Sequence, residues 1–120
     1  MTTSEVVEPF QIRRLPFEYE DCPGTYKERP VVVAAVDNAC ALVVLAKVTG
    51  HGPRPEYPGE VRLRDWQEAG LSKQSTVRCS KTIEVDLVDV EDALLVGELS
   101  EFDIQAVRVG LYEAGKIAAS

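Results

Sequence analysis

The sequence predicts a mainly β protein with a few helices, folded as a small, partly closed barrel with a C-terminal helix packed on it. Three observations lead to this fold class. About six short runs are rich in β-branched and apolar residues, and the loops between them are rich in proline and glycine. One amphipathic stripe with helical spacing lies near the C-terminus.

Two apolar runs, at residues 31–36 and 40–48, are joined by an Asp-Asn turn and predict a central hairpin. Neither run alternates with polar residues, so we expect both strands to be buried on both faces. Because the start of one strand lies beside the end of the next in an antiparallel hairpin, Arg29 and Thr49 are predicted neighbours at one rim of the sheet. Pro30 cannot donate to a ladder and is expected at the first strand position.

The segments on either side of this hairpin have different compositions. Residues 10–20 alternate imperfectly and predict a strand with a break near Pro16, and the turn signal that follows predicts an exposed loop over residues 21–28. Residues 51–59 contain three prolines and two glycines, which excludes a helix or a central strand. This loop leaves the same rim as Arg29 and Thr49, and we interpret it as a lid.

The C-terminal half contains a second group of predicted elements. These are a half-buried strand at residues 60–63, one helical turn from Asp65 to Gly70, and a strand at residues 75–86. Residues 85–99 fit either a further strand or a short helix. Ser100 followed by Asp103 resembles a capping box, and the apolar stripe after it predicts a helix over about 101–115.

Length and composition bound the class of protein. At 120 residues, with 45% hydrophobic and 28% charged residues, the chain has the makeup of one ordinary globular domain. Residues 1–9 predict a flexible N-terminus, which leaves residues 10–120 as a single domain. No apolar run approaches the length of a membrane span and no signal-peptide pattern is present, so we expect a cytoplasmic protein without membrane contact.

The three cysteines are widely spaced and form no CxxC pair. Neither a disulfide framework nor a metal site is therefore indicated. We expect reduced thiols, with Cys40 and Cys79 packed as small hydrophobes.

The formal net charge of −7 argues against broad, non-specific nucleic-acid binding, because an acidic surface repels phosphates. No contact with DNA is expected for the chain alone. Basic residues gather before and inside the predicted strands, whereas residues 84–103 contain no cation. This segregation of charge is compatible with one positive cleft.

Four short motifs occur in an order and at spacings that resemble the PemK/MazF family of toxins from type II toxin-antitoxin modules. They are KERPVVV at 27–33, VTG at 48–50, EAGLSKQSTVRC at 68–79 and VGELSEFD at 96–103. The resemblance covers roughly residues 17–111. It implies an SH3-like barrel that cleaves single-stranded RNA sequence-selectively, without metal or cofactor, as a homodimer blocked by an antitoxin protein.

The resemblance also implies roles for individual residues. Arg29 takes the place of the catalytic arginine, Thr49 that of the threonine that holds the scissile phosphate, and Arg78 that of a second arginine found in some members. The sequence departs from the family pattern at Gly50, where a serine is usual, and at Ser80, where an acid follows the second arginine. The candidate site therefore consists of catalytic and substrate-binding residues, namely Arg29, Thr49 and Arg78 with Lys27, Glu28, Gly50, His51 and Ser80.

Cleavage of RNA through its own 2′-hydroxyl needs a base, an acid for the leaving oxygen, and cations for the charge that builds on phosphorus. The planar fork of Arg29 suits the last task, and because a guanidinium keeps its proton it is a charge stabiliser rather than a proton donor. The sequence gives no obvious base. The single histidine, His51, is one candidate, and Glu28 and Glu56 are others.

Each of these residues also has an ordinary structural explanation. Arg29 can pair with an acid at the rim of the barrel, and Thr49 at a strand end is most often a turn former. His51 beside Gly-Pro is expected to be solvated, and Arg78 on a polar strand face fits a cross-strand ion pair.

Three functions follow from the sequence. The first is an endoribonuclease toxin with Arg29, Thr49 and Arg78 converging in a positive groove. The second is a barrel of the same descent that has lost catalysis and binds protein or RNA, which Gly50, Ser80 and the acidic composition favour. The third is an unrelated SH3-like module for proline-rich peptides, which needs clustered aromatic residues, and this chain has only 7%.

Overall fold

The computed structural model describes residues 6–19 and 22–117. Six strands and two helices follow one another in the order β1 (Gln11–Tyr19), β2 (Cys22–Asp37), β3 (Leu42–Thr49), β4 (Glu60–Arg62), β5 (Thr76–Asp86), α1 (Leu87–Glu91), β6 (Leu94–Glu98) and α2 (Glu101–Glu113). The strands form one curled antiparallel sheet in the order β4-β5-β3-β2-β1-β6, and α2 packs on it. The predicted fold class, a mainly β, partly closed barrel with a packed C-terminal helix, is confirmed.

The central hairpin is formed by β2 and β3, as the two apolar runs predict. Its register joins Val31 to Lys47 and Asp37 to Leu42. Val31, Val32 and Val33 are successive residues that point to opposite faces, and none has any exposed surface. One face of the hairpin contributes to a core cluster with Val32, and the other to a second cluster with Val31 and Val33. The lack of polar alternation therefore reports burial on both sides.

The segment before the hairpin differs from the sequence prediction. β1 continues through Pro16, which pairs with Glu28, so the predicted break there is wrong. The predicted loop over residues 21–28 is also wrong from Cys22 onward, because these residues form the exposed first half of β2 and pair with β1; Asp21 lies outside the described residues. On its other side β1 pairs with β6 only from Gln11 to Arg14, so within the described part of the chain Pro16 lies at a free edge of the sheet. Proline is tolerated at such an edge because no partner strand needs its missing N–H group.

The turn of the hairpin is longer than predicted, and this changes the environment of one cysteine. Residues 38–41 form the turn, and Ala41 has a φ of 56°. Cys40 consequently lies in the turn and is exposed, so the prediction that it packs as a small hydrophobe is wrong. Cys79 is buried, as predicted, and Cys22 is exposed. All three are free thiols.

The ambiguous region at residues 85–99 contains both of the alternatives, since α1 is followed directly by β6. Arg13 of β1, only 1% exposed, holds the connection between α1 and β6 in place. Its guanidinium donates to the carbonyl oxygens of Val90 at 3.4 Å and Ala93 at 3.1 Å, and to the Gln11 side chain. Backbone carbonyls at the end of α1 are thus satisfied from the neighbouring strand.

A polar cluster connects the turn at residues 65–70 with the start of α2. Ser100 is the N-cap of α2 and accepts a hydrogen bond from the Asp103 backbone at 3.2 Å, as the capping pattern predicts. The fully buried Asp103 carboxylate accepts from the backbone N–H groups of Arg64 and Asp65. Gly70 closes the turn with a φ of 91°, a conformation that favours glycine. These hydrogen bonds fix the position of the 65–70 turn relative to α2, and with it the starting point of the segment that follows Gly70.

The N-terminal segment is described from residue 6. Val7 is 6% exposed and packs in the cluster that contains Val31 and Val33, while residues 1–5 of the predicted flexible terminus lie outside the described residues. Within the described ranges, no helix has both the length and the apolar composition needed to cross a membrane.

Candidate functional site

The two strands of the central hairpin diverge where the candidate site is predicted. Their register, which joins Val31 to Lys47, places Arg29 opposite Thr49, but no pairing between β2 and β3 is recorded beyond Val31. Instead, Arg29 pairs with Leu15 of β1, and Thr49 pairs with Thr76 of β5. Each strand stays attached to its outer neighbour while the two inner ends separate. A wedge therefore opens between Arg29 and Thr49.

A cavity of about 210 Å³ occupies this wedge, and we call it the rim cavity. Its wall comes from the diverging strand ends and from the chain after the 65–70 turn. The lining residues are Arg14, Lys27, Glu28, Arg29, Pro30, Val48, Thr49, Gly50, Gly70, Leu71, Ser72, Lys73 and Ser75. The rim cavity thus brings together five of the predicted site residues, namely Lys27, Glu28, Arg29, Thr49 and Gly50.

The rim cavity is basic, although the protein as a whole is acidic. Four cationic residues line it, Arg14, Lys27, Arg29 and Lys73, and Glu28 is the single acidic residue among the lining residues. Glu28 lies 4.0 Å from the Arg14 guanidinium, and the side chains of Arg14 and Glu28 are 40% and 67% exposed, so their attraction is screened by water. A surplus of positive charge remains in a cleft, which favours an anionic ligand such as phosphate.

Thr49 presents a hydroxyl at this wall. Its Oγ1 accepts a hydrogen bond from the backbone N–H of His51 at 3.3 Å, a local contact that stabilises the strand end. The hydroxyl hydrogen remains available for donation, because a hydroxyl both donates and accepts. The His51 side chain is exposed and does not line the rim cavity.

Arg78 and Ser80 do not line the rim cavity. The Arg78 guanidinium donates to Glu60 at 2.7 Å and lies over the Tyr57 ring, 4.7 Å from its centroid. Glu60 also accepts from the backbone N–H of Arg54 at 2.8 Å. Arg78 and Glu60 therefore hold the proline-rich loop against the sheet through Arg54 and Tyr57. The Ser80 hydroxyl oxygen is buried and has no hydrogen-bond partner among the described residues.

Two cations of the rim cavity, Arg14 and Lys73, were missed by sequence reasoning. The signal for Arg14 was the pairing of β1 with β2, which joins Arg14 to Pro30, and the predicted break at Pro16 concealed it. Lys73 lies in a segment without regular structure. No periodicity reports its position, because its approach to Gly50 depends on how the 65–70 turn packs.

The side chains of the described residues bear on metal binding, and the functional groups of the rim cavity define its chemistry. Residues 6–19 and 22–117 contain no group of three or more His, Cys, Asp or Glu side chains arranged to hold a metal ion. The chemistry available in the rim cavity is that of two guanidinium groups, two ammonium groups, one carboxylate and hydroxyls.

Comparison with known protein families identifies the chain. The family described as "PemK-like, MazF-like toxin of type II toxin-antitoxin system" matches residues 8–114. The chain belongs to the PemK/MazF toxin family. The resemblance drawn from the four sequence motifs is thereby confirmed, and the hypothesis of an SH3-like module of unrelated descent is wrong.

Several solved structures share this fold at low sequence identity to this chain. A MazE-MazF structure from Deinococcus radiodurans has a TM-score of 0.69 and 18% identity, with 95% of this chain and 100% of that chain covered. An endoribonuclease from a mycobacterial species has a TM-score of 0.66 and 14% identity, covering 99% and 100%. The Mycobacterium tuberculosis toxin MazF-mt6 has a TM-score of 0.61 and 22% identity, covering 93% and 100%. No curated protein sequence matches this chain significantly.

Proposed function

We propose that this chain is the toxin of a toxin-antitoxin module and acts as a metal-independent, sequence-selective endoribonuclease on single-stranded RNA. Membership of the PemK/MazF family supports this, as does the fold shared with a protein described as an endoribonuclease. The observation that carries the proposal is the wedge between β2 and β3, where Arg29 and Thr49 face each other across a basic cavity of an otherwise acidic protein.

The residues of the rim cavity suit cleavage by transesterification. The 2′-oxygen attacks phosphorus, the bond from phosphorus to the 5′-oxygen breaks, and a 2′,3′-cyclic phosphate and a free 5′-hydroxyl result. Arg29 stabilises the charge on the phosphate oxygens, and the Thr49 hydroxyl donates a hydrogen bond to one of them. Glu28, the single carboxylate of the cavity wall, takes the proton from the 2′-hydroxyl, and the leaving 5′-oxygen takes its proton from solvent water. The exposed position of His51 outside the wall makes it the weaker candidate.

We also propose an antitoxin protein as the partner of this chain. Two of the structurally similar proteins are described as MazE-MazF and as an endoribonuclease in complex with its cognate antitoxin, which supports an antitoxin partner for this chain. We also propose a homodimer in the cytoplasm. Exposed apolar side chains on α2, those of Val109 and Tyr112, border a groove of about 530 Å³ and support self-association through that helix. Light scattering of Val109→Glu against the parent chain tests the dimer.

The activity is tested with purified protein, a long unstructured RNA and EDTA, with the 5′ ends of the products mapped. We expect discrete cuts in the parent reaction and none with Arg29→Ala. Lys116→Ala is the matched control, because it removes an exposed cation from the chain beyond α2. Cuts that persist in Arg29→Ala, or that need added Mg²⁺, would contradict the proposal.

A second candidate function rests on the ion pair between Arg78 and Glu60. Arg78 is the second arginine of the family pattern, and its guanidinium is already bound by Glu60. Gly50 and Ser80 also depart from that pattern. A barrel of the same descent without catalysis would bind RNA or protein at the rim cavity and leave RNA intact. Binding of a labelled single-stranded RNA without cleavage, lost in Arg29→Ala, would favour this alternative over the nuclease.

A further inference from the structure

Lys73 and Gly50 are packed against each other in the rim cavity. A Cβ atom at position 50 would lie 3.0 Å from both Cε and Nζ of Lys73, tighter than nine in ten real Cβ contacts. Both residues line the cavity, and Gly50 directly follows Thr49. The Lys73 ammonium therefore fills space that a side chain at position 50 would need.

The backbone does not require glycine at position 50. The glycines with positive φ are Gly24, Gly59, Gly70 and Gly115, and Gly50 is not among them. Its conformation is thus open to alanine or serine without backbone strain. What a side chain at this position meets is the flexible end of Lys73, and no backbone atom lies among its nearest contacts.

The next glycine in the same loop shows the same arrangement. A Cβ at Gly52 would lie 2.8 Å from Nη2 of Arg62, and Gly52 also has no positive φ. The chain that leaves Thr49 is therefore flanked by a cation at each of its first two glycines. Cations repeated along an exposed backbone fit a ligand with repeated negative charge.

We propose that Lys73 is a phosphate-binding residue of the rim cavity and that Gly50 is the residue that admits it. This inference rests on the proposed function, because the ligand is the phosphodiester backbone of single-stranded RNA. Lys73 adds a point charge beside Thr49, on the side of the wedge opposite the guanidinium of Arg29. A serine at position 50 pushes this ammonium away, so Gly50 and Lys73 act as a pair.

The test uses a short, mixed-sequence RNA in which every ribose is 2′-O-methylated, so that it cannot be cut. Fluorescence anisotropy in EDTA gives the Kd at several salt concentrations. For Lys73→Gln we expect a Kd roughly three- to tenfold higher and a slope of log K against log salt that is smaller by about 0.7, as the loss of one phosphate contact predicts. Lys116→Gln, which removes an equal charge elsewhere, should match the parent protein.

A double-mutant cycle separates this role from a general change of charge. Gly50→Ser should weaken binding in the parent background and add nothing in the Lys73→Gln background, because the ammonium that it displaces is already absent. Unchanged urea midpoints would confirm that each variant is folded, which is expected because Lys73 is exposed.

The two proposals fail in different ways. If the parent protein cuts RNA and Lys73→Gln keeps the parental Kd and salt slope, Lys73 binds no phosphate and the nuclease assignment stands. An equal effect of Gly50→Ser in both backgrounds would likewise overturn the pairing of Gly50 with Lys73. If the parent protein neither cuts nor binds RNA, both proposals are wrong.

Discussion

Arg78 and Glu60 form an ion pair across β4 and β5 in which the carboxylate is almost completely buried. The distance from Nε to Oε2 is 2.7 Å, and the Glu60 side chain is 1% exposed while that of Arg78 is 18% exposed. The second carboxylate oxygen accepts from the Arg54 backbone in the proline-rich loop. The pair therefore joins the sheet to the middle of that loop, in agreement with the cross-strand ion pair considered for Arg78.

Glu60→Gln should lower the free energy of unfolding by about 2–4 kcal/mol, because it leaves a partly buried guanidinium without its carboxylate. Urea denaturation measures this change. The matched control is Glu28→Gln, whose side chain is exposed and lies 4.0 Å from the half-buried Arg14. That variant should change stability by less than about 0.5 kcal/mol. Equal losses in the two variants would contradict the role given to the buried pair.

The part of the fold that the sequence predicts is the part set by local pattern. The apolar runs locate the central hairpin, and its two ends bring Arg29 and Thr49 to the same cavity, although the strands no longer pair there. The capping residues locate the start of α2 at Ser100. These features depend on neighbours in sequence or on a single short turn, so local rules suffice.

What the sequence missed depends on contacts between distant segments. The exposed first half of β2 forms a strand because β1 pairs with it, although its Pro-Gly signal is typical of a loop. Glu60 reaches Arg78 from another strand, which no spacing in the chain reports. The rim cavity likewise requires the segment after Gly70 to close one side of the wedge, and this depends on the polar cluster around Asp103.

Acid should destabilise the protein partly through Asp65. The hydrogen bonds from Arg64 and then from Ser100 hold the pKa of this carboxyl below its usual 3.8. Because the folded state lowers the pKa, the unfolded state binds more protons in acid, so this contribution is present above pH 3.8 and is lost as pH falls through the folded value. Asp65→Asn should therefore flatten the decline in stability below pH 3.8.

Thermal unfolding across a pH series measures this effect. Glu91→Gln, which removes an exposed carboxylate from α1, is the control and should retain the parental decline. If the stability of Asp65→Asn fell with pH as steeply as that of the parent protein, protonation of Asp65 would not contribute to the loss of stability in acid.

The three thiols should differ in reactivity toward a disulfide reagent. Cys22 and Cys40 are exposed and should react in the native protein, whereas burial raises the pKa of the Cys79 thiol to about 12 and blocks access to it. The hydrogen bond and charge of Asp37 also raise the pKa of Cys40, so its reaction should be slow at neutral pH and accelerate in base. Asp37→Asn should speed the labelling of Cys40.

Timed labelling with and without denaturant counts these thiols. Two thiols should be labelled in the native state and the third only after unfolding, and Cys79→Ala should remove the thiol that reacts only after unfolding. Rapid labelling of all three in buffer would show that the core around β5 opens readily.

Glu28 provides the sharpest test of how the rim cavity would act on RNA. As the single carboxylate of the wall it has two opposing effects, since it accepts a proton in the reaction but repels the phosphate that the cations attract. Glu28→Gln should therefore lower the cleavage rate by about 10²- to 10⁴-fold, the usual contribution of a general base, while it tightens binding of the 2′-O-methylated RNA.

A residue that only shapes the cavity would not separate rate from affinity in this direction. Single-turnover rates and anisotropy on the same preparations measure both quantities, with Glu98→Gln on β6 as the control for loss of one exposed carboxylate. Full activity in Glu28→Gln, together with loss of cleavage in His51→Ala, would transfer the role of the base to the loop that follows Thr49.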